Sequence, residues 1–273
     1  MKTTFVTIIF LMLAIWSNAK VLTVSNDPNQ PAMYKTFNDA YKAANTGDTL
    51  YVVGSLASYG NVSISKGIAI IGSGFNDPNE RKLETIFGNI SITYLTGEYG
   101  NIVSNGSGTI VDGIECNGIY SDISSDLPIL IENVEIKNCE LQEITLWCKA
   151  NSILIYNCVV YGGISGYSVS SPSKIDNLTI KNNLIGRYAI GEFYSKNSSI
   201  VISNNLIITD YTDFSGITGA HIFNNILYYT GTNAIYSCKN LIFSKNISLK
   251  TQDLNIFDPV NNISGDNNLI NTD

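Results

Sequence analysis

The sequence predicts an all-β chain wound as a coiled parallel sheet, and three observations carry that prediction. A two-residue polar step recurs through the second half as Asn138-Cys139, Asn157-Cys158, Asn182-Asn183, Asn204-Asn205, Asn224-Asn225, Lys245-Asn246 and Asn267-Asn268. Its second residues are 19, 25, 22, 20, 21 and 22 positions apart. Alternating apolar stretches such as NVEIKNC, SILIYNC, NLTIKNN and SIVISNN precede the steps, and a period of two is the mark of a strand with one face buried. A period near 22 residues with strands inside each unit describes supersecondary units that bury their apolar faces only by stacking on one another.

Taken in order, the chain opens with Lys2, an apolar run from Phe5 to Trp16, and Ser17-Asn18-Ala19. A charged start, an apolar run of about a dozen residues and a small-residue cleavage site read as a secretory signal over 1–19. That run is too short for a comfortable membrane span. The chain from 20 to 273 then reads as one domain, with 20–60 as its N-terminal cap. Val21, Leu22 and Val24 suggest a short strand. Residues 35 to 45 follow a helical period, with Phe37, Ala40, Tyr41 and Ala44 on one side, and Gly47 ends them. An amphipathic helix at this place shields the first turn of a sheet. Further strands are expected at Thr49–Val53, within 61–74, at Glu84–Phe87, Asn89–Thr93 and Thr109–Ile114.

Counting back from each step assigns the faces of the regular turns. Val134/Ile136, Ile153/Ile155, Leu178/Ile180, Ile200/Ile202, Ala220/Ile222 and Leu241/Phe243 fall inward. Glu135, Leu154, Thr179, Val201, His221 and Ile242 fall outward. The same parity places Cys139, Cys158, Asn183, Asn205, Asn225 and Asn246 in one inward column. Parallel strands lie about 4.8 Å apart, so identical amides there can hydrogen-bond from turn to turn as a structural ladder. The five cysteines have no zinc-type spacing; they read as small buried fillers, with disulfides permitted by export.

Composition excludes some partners. Losing the signal removes Lys2 from the 16 basic residues and leaves 15 against 23 acidic ones, a net charge of −8. Only two arginines occur, Arg81 and Arg187, and no basic run, so nucleic acid is excluded as a partner by charge. The same balance disfavours a polyanionic glycan in the absence of a metal ion.

A helix leading into NTGDTLYVV, then GNVSISKGIAIIGSG, then serial NNLI-type turns resembles the right-handed parallel β-helix proteins of the pectin-lyase-like superfamily. The resemblance spans residues 21 to 273. It implies a β-helix of about nine or ten turns, three short parallel sheets wound into a prism, and an N-terminal helix cap. The sequence ends in GDNNLINTD, directly after a turn motif, where proteins of this kind continue into a cap; truncation or a covering partner is the expectation. The family holds lyases, glycosidases, esterases and non-enzymatic adhesins. The glycosidase branch uses adjacent aspartates, and this chain has no Asp-Asp pair. Its one histidine, His221, lies outside any Gly-rich loop and reads as an exposed surface residue.

Three functions stay open at this stage. The preferred one is a secreted, non-catalytic protein contacting carbohydrate through outward aromatics: Tyr161, Tyr188, Tyr211, Tyr228 and Tyr229. Exposed rings beside hydroxyls and amides suit neutral sugars, and they suit tyrosine stacking on the sheet equally well. The second is a polysaccharide lyase, for which the resemblance implies Ca²⁺ held by carboxylates beside a cationic residue. Asp210 and Asp213, one turn beyond Arg187, are the best local supply. No other cofactor is expected. The third is a structural or adhesin-type protein that binds another protein; oligomeric state is open.

Overall fold

The computed structural model describes residues 19–74, 83–97, 101–122, 129–166, 173–187, 190–209, 214–229, 235–249 and 261–271. The signal sequence therefore lies outside the described residues, apart from Ala19. The chain forms a right-handed parallel β-helix, all-β with one short helix, whose solenoid makes about 7 turns. The first sheet runs from Val21–Val24 through Thr49–Val52, Ala69–Ile71, Ile110–Asp112, Leu130–Lys137, Lys149–Tyr156 and Ser173–Lys181 to Ile263–Ser264. The second runs from Val62–Ile64 through Ile86–Ile92, Glu115–Asp122, Glu140–Trp147 and Val159–Ser165 to Leu269–Asn271. The coil is thus shorter than the nine or ten turns expected from sequence.

Two parallel sheets form in place of the three that the resemblance implied, because strands such as Leu130–Lys137 and Lys149–Tyr156 bend and continue past the corner. The bends have a backbone cause. Asn138, Asn157, Asn182, Asn204, Asn224, Lys245 and Asn267, the first residue of every step, all have φ between 51° and 57°. Left-handed backbone costs most residues roughly 1–2 kcal/mol, and asparagine tolerates it best after glycine. A second left-handed column, Asn133 (φ 56°), Ser152 (61°), Asn177 (54°), Gly219 (78°), Asn240 (51°) and Asn262 (54°), bends the first sheet at mid-strand.

The second residue of each step turns inward. Asn183 donates its side-chain Nδ2 to Asn205 Oδ1 at 3.0 Å, Asn205 to Asn225 at 2.9 Å, Asn225 to Asn246 at 3.0 Å, and Asn246 to Asn268 at 3.2 Å. Each acceptor oxygen also takes the backbone N–H of the residue one turn earlier. The second amide hydrogen goes to a main-chain carbonyl of the earlier turn, as from Asn205 to Ile180 at 3.0 Å. Cys139 and Cys158 close the column by copying that last bond. Their thiols donate to the carbonyls of Val111 and Ile136 one turn earlier, both at 3.7 Å, and to those of Lys137 and Tyr156 at 3.0 and 3.3 Å. All five cysteines are reduced and buried.

Apolar stacks fill the interior between the sheets. Ile136, Ile155, Ile180, Ile202, Ile222 and Phe243 pair in register on the first sheet. Ile90, Ile119, Ile144, Ile164, Ile190 and Phe214 do so on the second. Each is fully buried, a transfer worth about 1.5–3 kcal/mol per side chain. At the N-terminal end the helix Phe37–Ala43 is shorter than the expected 35–45. Thr36 caps it by accepting the Asp39 N–H at 3.2 Å. Phe37 meets Phe87 edge-on at 5.2 Å and closes that end of the core. Asp48 ties the cap down by accepting the Asn45 and Lys20 N–H groups, both at 2.7 Å, and these bonds hold its carboxyl below the usual range.

The interior column makes a sharp mutational expectation. Asn225→Ala strands the Asn205 donors and the Ile202 carbonyl, at about 1–3 kcal/mol for each buried group left unsatisfied. Thermal denaturation should show a fall of roughly 10 °C. Asn224→Gly, at the left-handed position beside it, should change the midpoint by less than about 3 °C, whereas Asn224→Val should lower it clearly.

Candidate glycan-binding face

Outward positions of the second sheet are brought into rows by its register. Asn89, Gly118, Glu143 and Gly163 form one row on successive turns. Ser91, Tyr120, Thr145 and Ser165 form the next, and Trp147 pairs with Asp122 beyond it. These strands enclose a cleft of about 440 Å³ lined by Asn89, Ser91, Tyr120, Ser121, Thr145, Trp147 and Gly166. That size suits a small ligand, and its mix of aromatic surface with a few polar groups is typical of such sites.

Tyr120 is held in place from two sides. Its hydroxyl donates to Glu143 Oε1 at 2.7 Å. Its ring lies across Gly118, where an added Cβ would come within 2.6 Å of the hydroxyl and 2.7 Å of ring carbons. Glycine is therefore what lets the ring lie against the sheet. Burial, followed by the bond to Glu143, pushes the phenol up to about 12. The ring is neutral and fixed at any physiological pH. Glu143 holds the Tyr120 hydroxyl from beside this platform, and no Lys or Arg is among the described residues lining the cleft.

A second feature lies on the same two strands, five residues nearer their starts and so roughly 15 Å away. Glu115 and Glu140 are register neighbours, and Tyr161 donates its hydroxyl to Glu140 Oε1 at 2.6 Å. A hydrogen bond with the Glu84 carboxyl, then burial, then the charges of Glu84 and Glu140 raise Glu115 to about 7. Glu115 thus keeps its proton to higher pH than an isolated glutamate, since two adjacent carboxylates disfavour double ionisation.

The residues singled out from sequence fare unevenly. Tyr161 is exposed and bonded to Glu140, away from the cleft. Tyr228 pairs with Ile208 on the outer face, while Gly186 occupies the turn between Ile208 and Tyr161. Arg187 has a left-handed φ of 22° at the end of the strand Leu184–Ile185. Asp210, Asp213, Tyr188 and Tyr211 lie outside the described residues, as does the Tyr229 side chain. Among the described residues, no group of three or more His, Cys, Asp or Glu is placed to hold a metal ion. His221 is exposed and pairs with Val201 and Ile242.

Sequence reasoning missed Glu84, Asn89, Glu115, Tyr120 and Glu143. The strands Ile86–Ile92 and Glu115–Asp122, which carry Asn89, Glu115 and Tyr120, lack the polar step that aligned the later turns, whereas Glu143 lies on Glu140–Trp147 directly after the first step. The available signal was the outward row itself: Ser91, Tyr120 and Thr145 each lie one residue past a buried isoleucine.

The raised Glu115 carboxyl has a stability consequence. An acid that holds its proton more tightly when folded adds stability that is fully present below its ordinary value of 4.5 and is lost as pH rises to about 7. Thermal melts of Glu115→Gln and the unmodified protein should therefore diverge in the variant's favour between those two pH values. Parallel curves would show that the Glu115 carboxyl is not raised in the folded protein.

No family model matches the sequence, and no curated protein matches it. Solved structures that resemble the chain include DFA-IIIase from Arthrobacter chlorophenolicus A6 without its lid. It is 14% identical, with 93% of this chain and 80% of that one covered at a TM-score of 0.47. Another is the deglycosylated pectin methylesterase from Aspergillus niger, 13% identical over 94% and 87% of the two chains at a TM-score of 0.34. Similarity at this level concerns the coil and not the chemistry carried on it. The parallel coil itself is established by the strand register of this chain.

Proposed function

We propose that this is an exported protein that binds a neutral glycan on the outer face of its second sheet, in the Tyr120–Trp147 cleft. The observation that carries the reading is the immobilised ring of Tyr120, laid across Gly118 and bonded to Glu143. A pre-positioned ring face offers stacking surface to the C–H side of a sugar with little ordering cost. Asn89, Ser91 and Thr145 supply both donors and acceptors for hydroxyl groups. Glu143, the carboxyls of Glu84, Glu115 and Glu140, and the chain's overall negative charge repel uronates and sulfated sugars. Export follows from the N-terminal signal pattern. No helix among the described residues is long and apolar enough to cross a membrane.

A hydrolytic reading is favoured by one further feature, the raised Glu115 carboxyl with Glu140 as its register neighbour. A carboxyl that keeps its proton toward pH 7 with a second carboxyl about 5 Å away is the combination that retaining glycoside cleavage uses, and Glu140, one strand from Glu115, is placed for the second role. A sugar chain extending from the cleft along the strands would bring a glycosidic bond to it.

Binding is tested by titrating neutral oligosaccharides against Trp147→Ala and Gly118→Ala. Each variant should weaken binding roughly tenfold or more. The second should do so with an unchanged melting temperature, because only the Tyr120 side chain has to move. Unaltered affinity in both would rule out the cleft. Release of reducing ends that persists in Glu115→Gln would rule out the hydrolytic reading while leaving binding intact.

A further inference from the structure

The outer face of the second sheet changes character along the coil axis. One outward column reads Glu115 and Glu140 on its early turns, then Val159, then Leu184, Leu206, Ile226, Ile247 and Leu269 in unbroken register. The five later side chains are between 37% and 62% exposed. Beside them runs a second outward column containing Ile208 and Tyr228. No charged residue occupies either column from Val159 onward on the described turns. Single exposed aliphatics are ordinary, but a contiguous apolar stripe on a flat sheet marks an interaction surface.

We propose that this stripe is the contact between two copies of the chain, related by a two-fold axis that passes near Leu206 and Ile226. Three features select a second copy as the occupant. The stripe is flat and evenly stepped, so its own image fits it as one sheet packs on another about 10 Å away. Its exposed apolar surface is roughly 600 Å² per copy, so a pair buries about 1,200 Å², the lower bound for a specific interface. The acidic turns at Glu115 and Glu140 lie beyond the N-terminal end of the stripe. The two-fold arrangement keeps them outside the contact, whereas sliding one copy toward its partner's acidic turns would bury carboxylates against leucine. Those glutamates thereby fix the register of the pair. The two glycan clefts lie on the early turns, outside the contact, so the dimer is independent of the glycan reading.

Sedimentation velocity on the full exported chain, at concentrations up to about 100 µM, should show a monomer–dimer equilibrium. The double variant Leu206→Glu with Ile226→Glu should remain monomeric over that range, with unchanged far-ultraviolet circular dichroism. Ile242→Glu, at an equally exposed apolar site on the first sheet, should leave the equilibrium unaltered. A protein that stays monomeric throughout would overturn the proposal, as would a dimer that survives the double variant. Should the double variant misfold, Leu206→Ser with Ile226→Ser should still weaken association at least tenfold, and failure to do so counts equally against it.

Discussion

A buried asparagine amide can use both of its hydrogens and its oxygen only when the turns above and below present partners at the same depth. That condition governs this protein. From Asn205 to Asn268 each side-chain oxygen accepts from the preceding turn's main chain and amide together. Slipping any turn by one residue would reverse its side chains and leave several buried polar groups unmatched, each costing about 1–3 kcal/mol. The amide column therefore fixes register, and register in turn builds every outward row on the surface. The aliphatic stripe is an external consequence of that internal match, and the early turns inherit the same register by stacking on it.

The two residues of each step answer different physical demands. The first takes the left-handed backbone that turns the corner, where asparagine is tolerated and Lys245 is the single exception among the steps. The second provides the inward amide. Cysteine substitutes at Cys139 and Cys158 because a thiol can still donate to the main-chain carbonyls, although it offers no oxygen to an earlier turn. That is the physical sense in which the ladder begins at Asn183: its oxygen accepts the Cys158 N–H at 2.9 Å, and nothing amide-like lies before it.

How much of this was legible in the sequence follows from the same distinction. Where the step recurs, strand faces could be assigned residue by residue, and Val134, Ile153, Leu178 and Ile200 are indeed all buried. The left-handed role of the first asparagine was not legible, since the amide column alone accounts for only one residue of the pair. The cleft was hidden for a different reason. Tyr120 and Glu143 are 23 residues apart, and the turn that Tyr120 occupies carries no Asn step to align it. Gly118 looks like a weak strand residue in sequence; only its contact with the Tyr120 ring explains it. The hairpin of Tyr94–Thr96 and Ile102–Asn105, antiparallel in an otherwise parallel fold, was likewise unforeseen.

Function is carried on the surface that the ladder leaves free to vary. One outer sheet face holds an aromatic platform and a carboxyl cluster on the same early turns, followed along the coil by an apolar stripe. All of them depend on the turns stacking in a single register. Hydrogen exchange at the main-chain amides of Cys158, Asn183, Asn205 and Asn225, which donate to the ladder oxygens, tests that dependence most directly. If the amide column fixes the register, these four should exchange only through global unfolding and share one opening free energy. Exchange at unequal rates, or as fast as at exposed turns, would contradict the account.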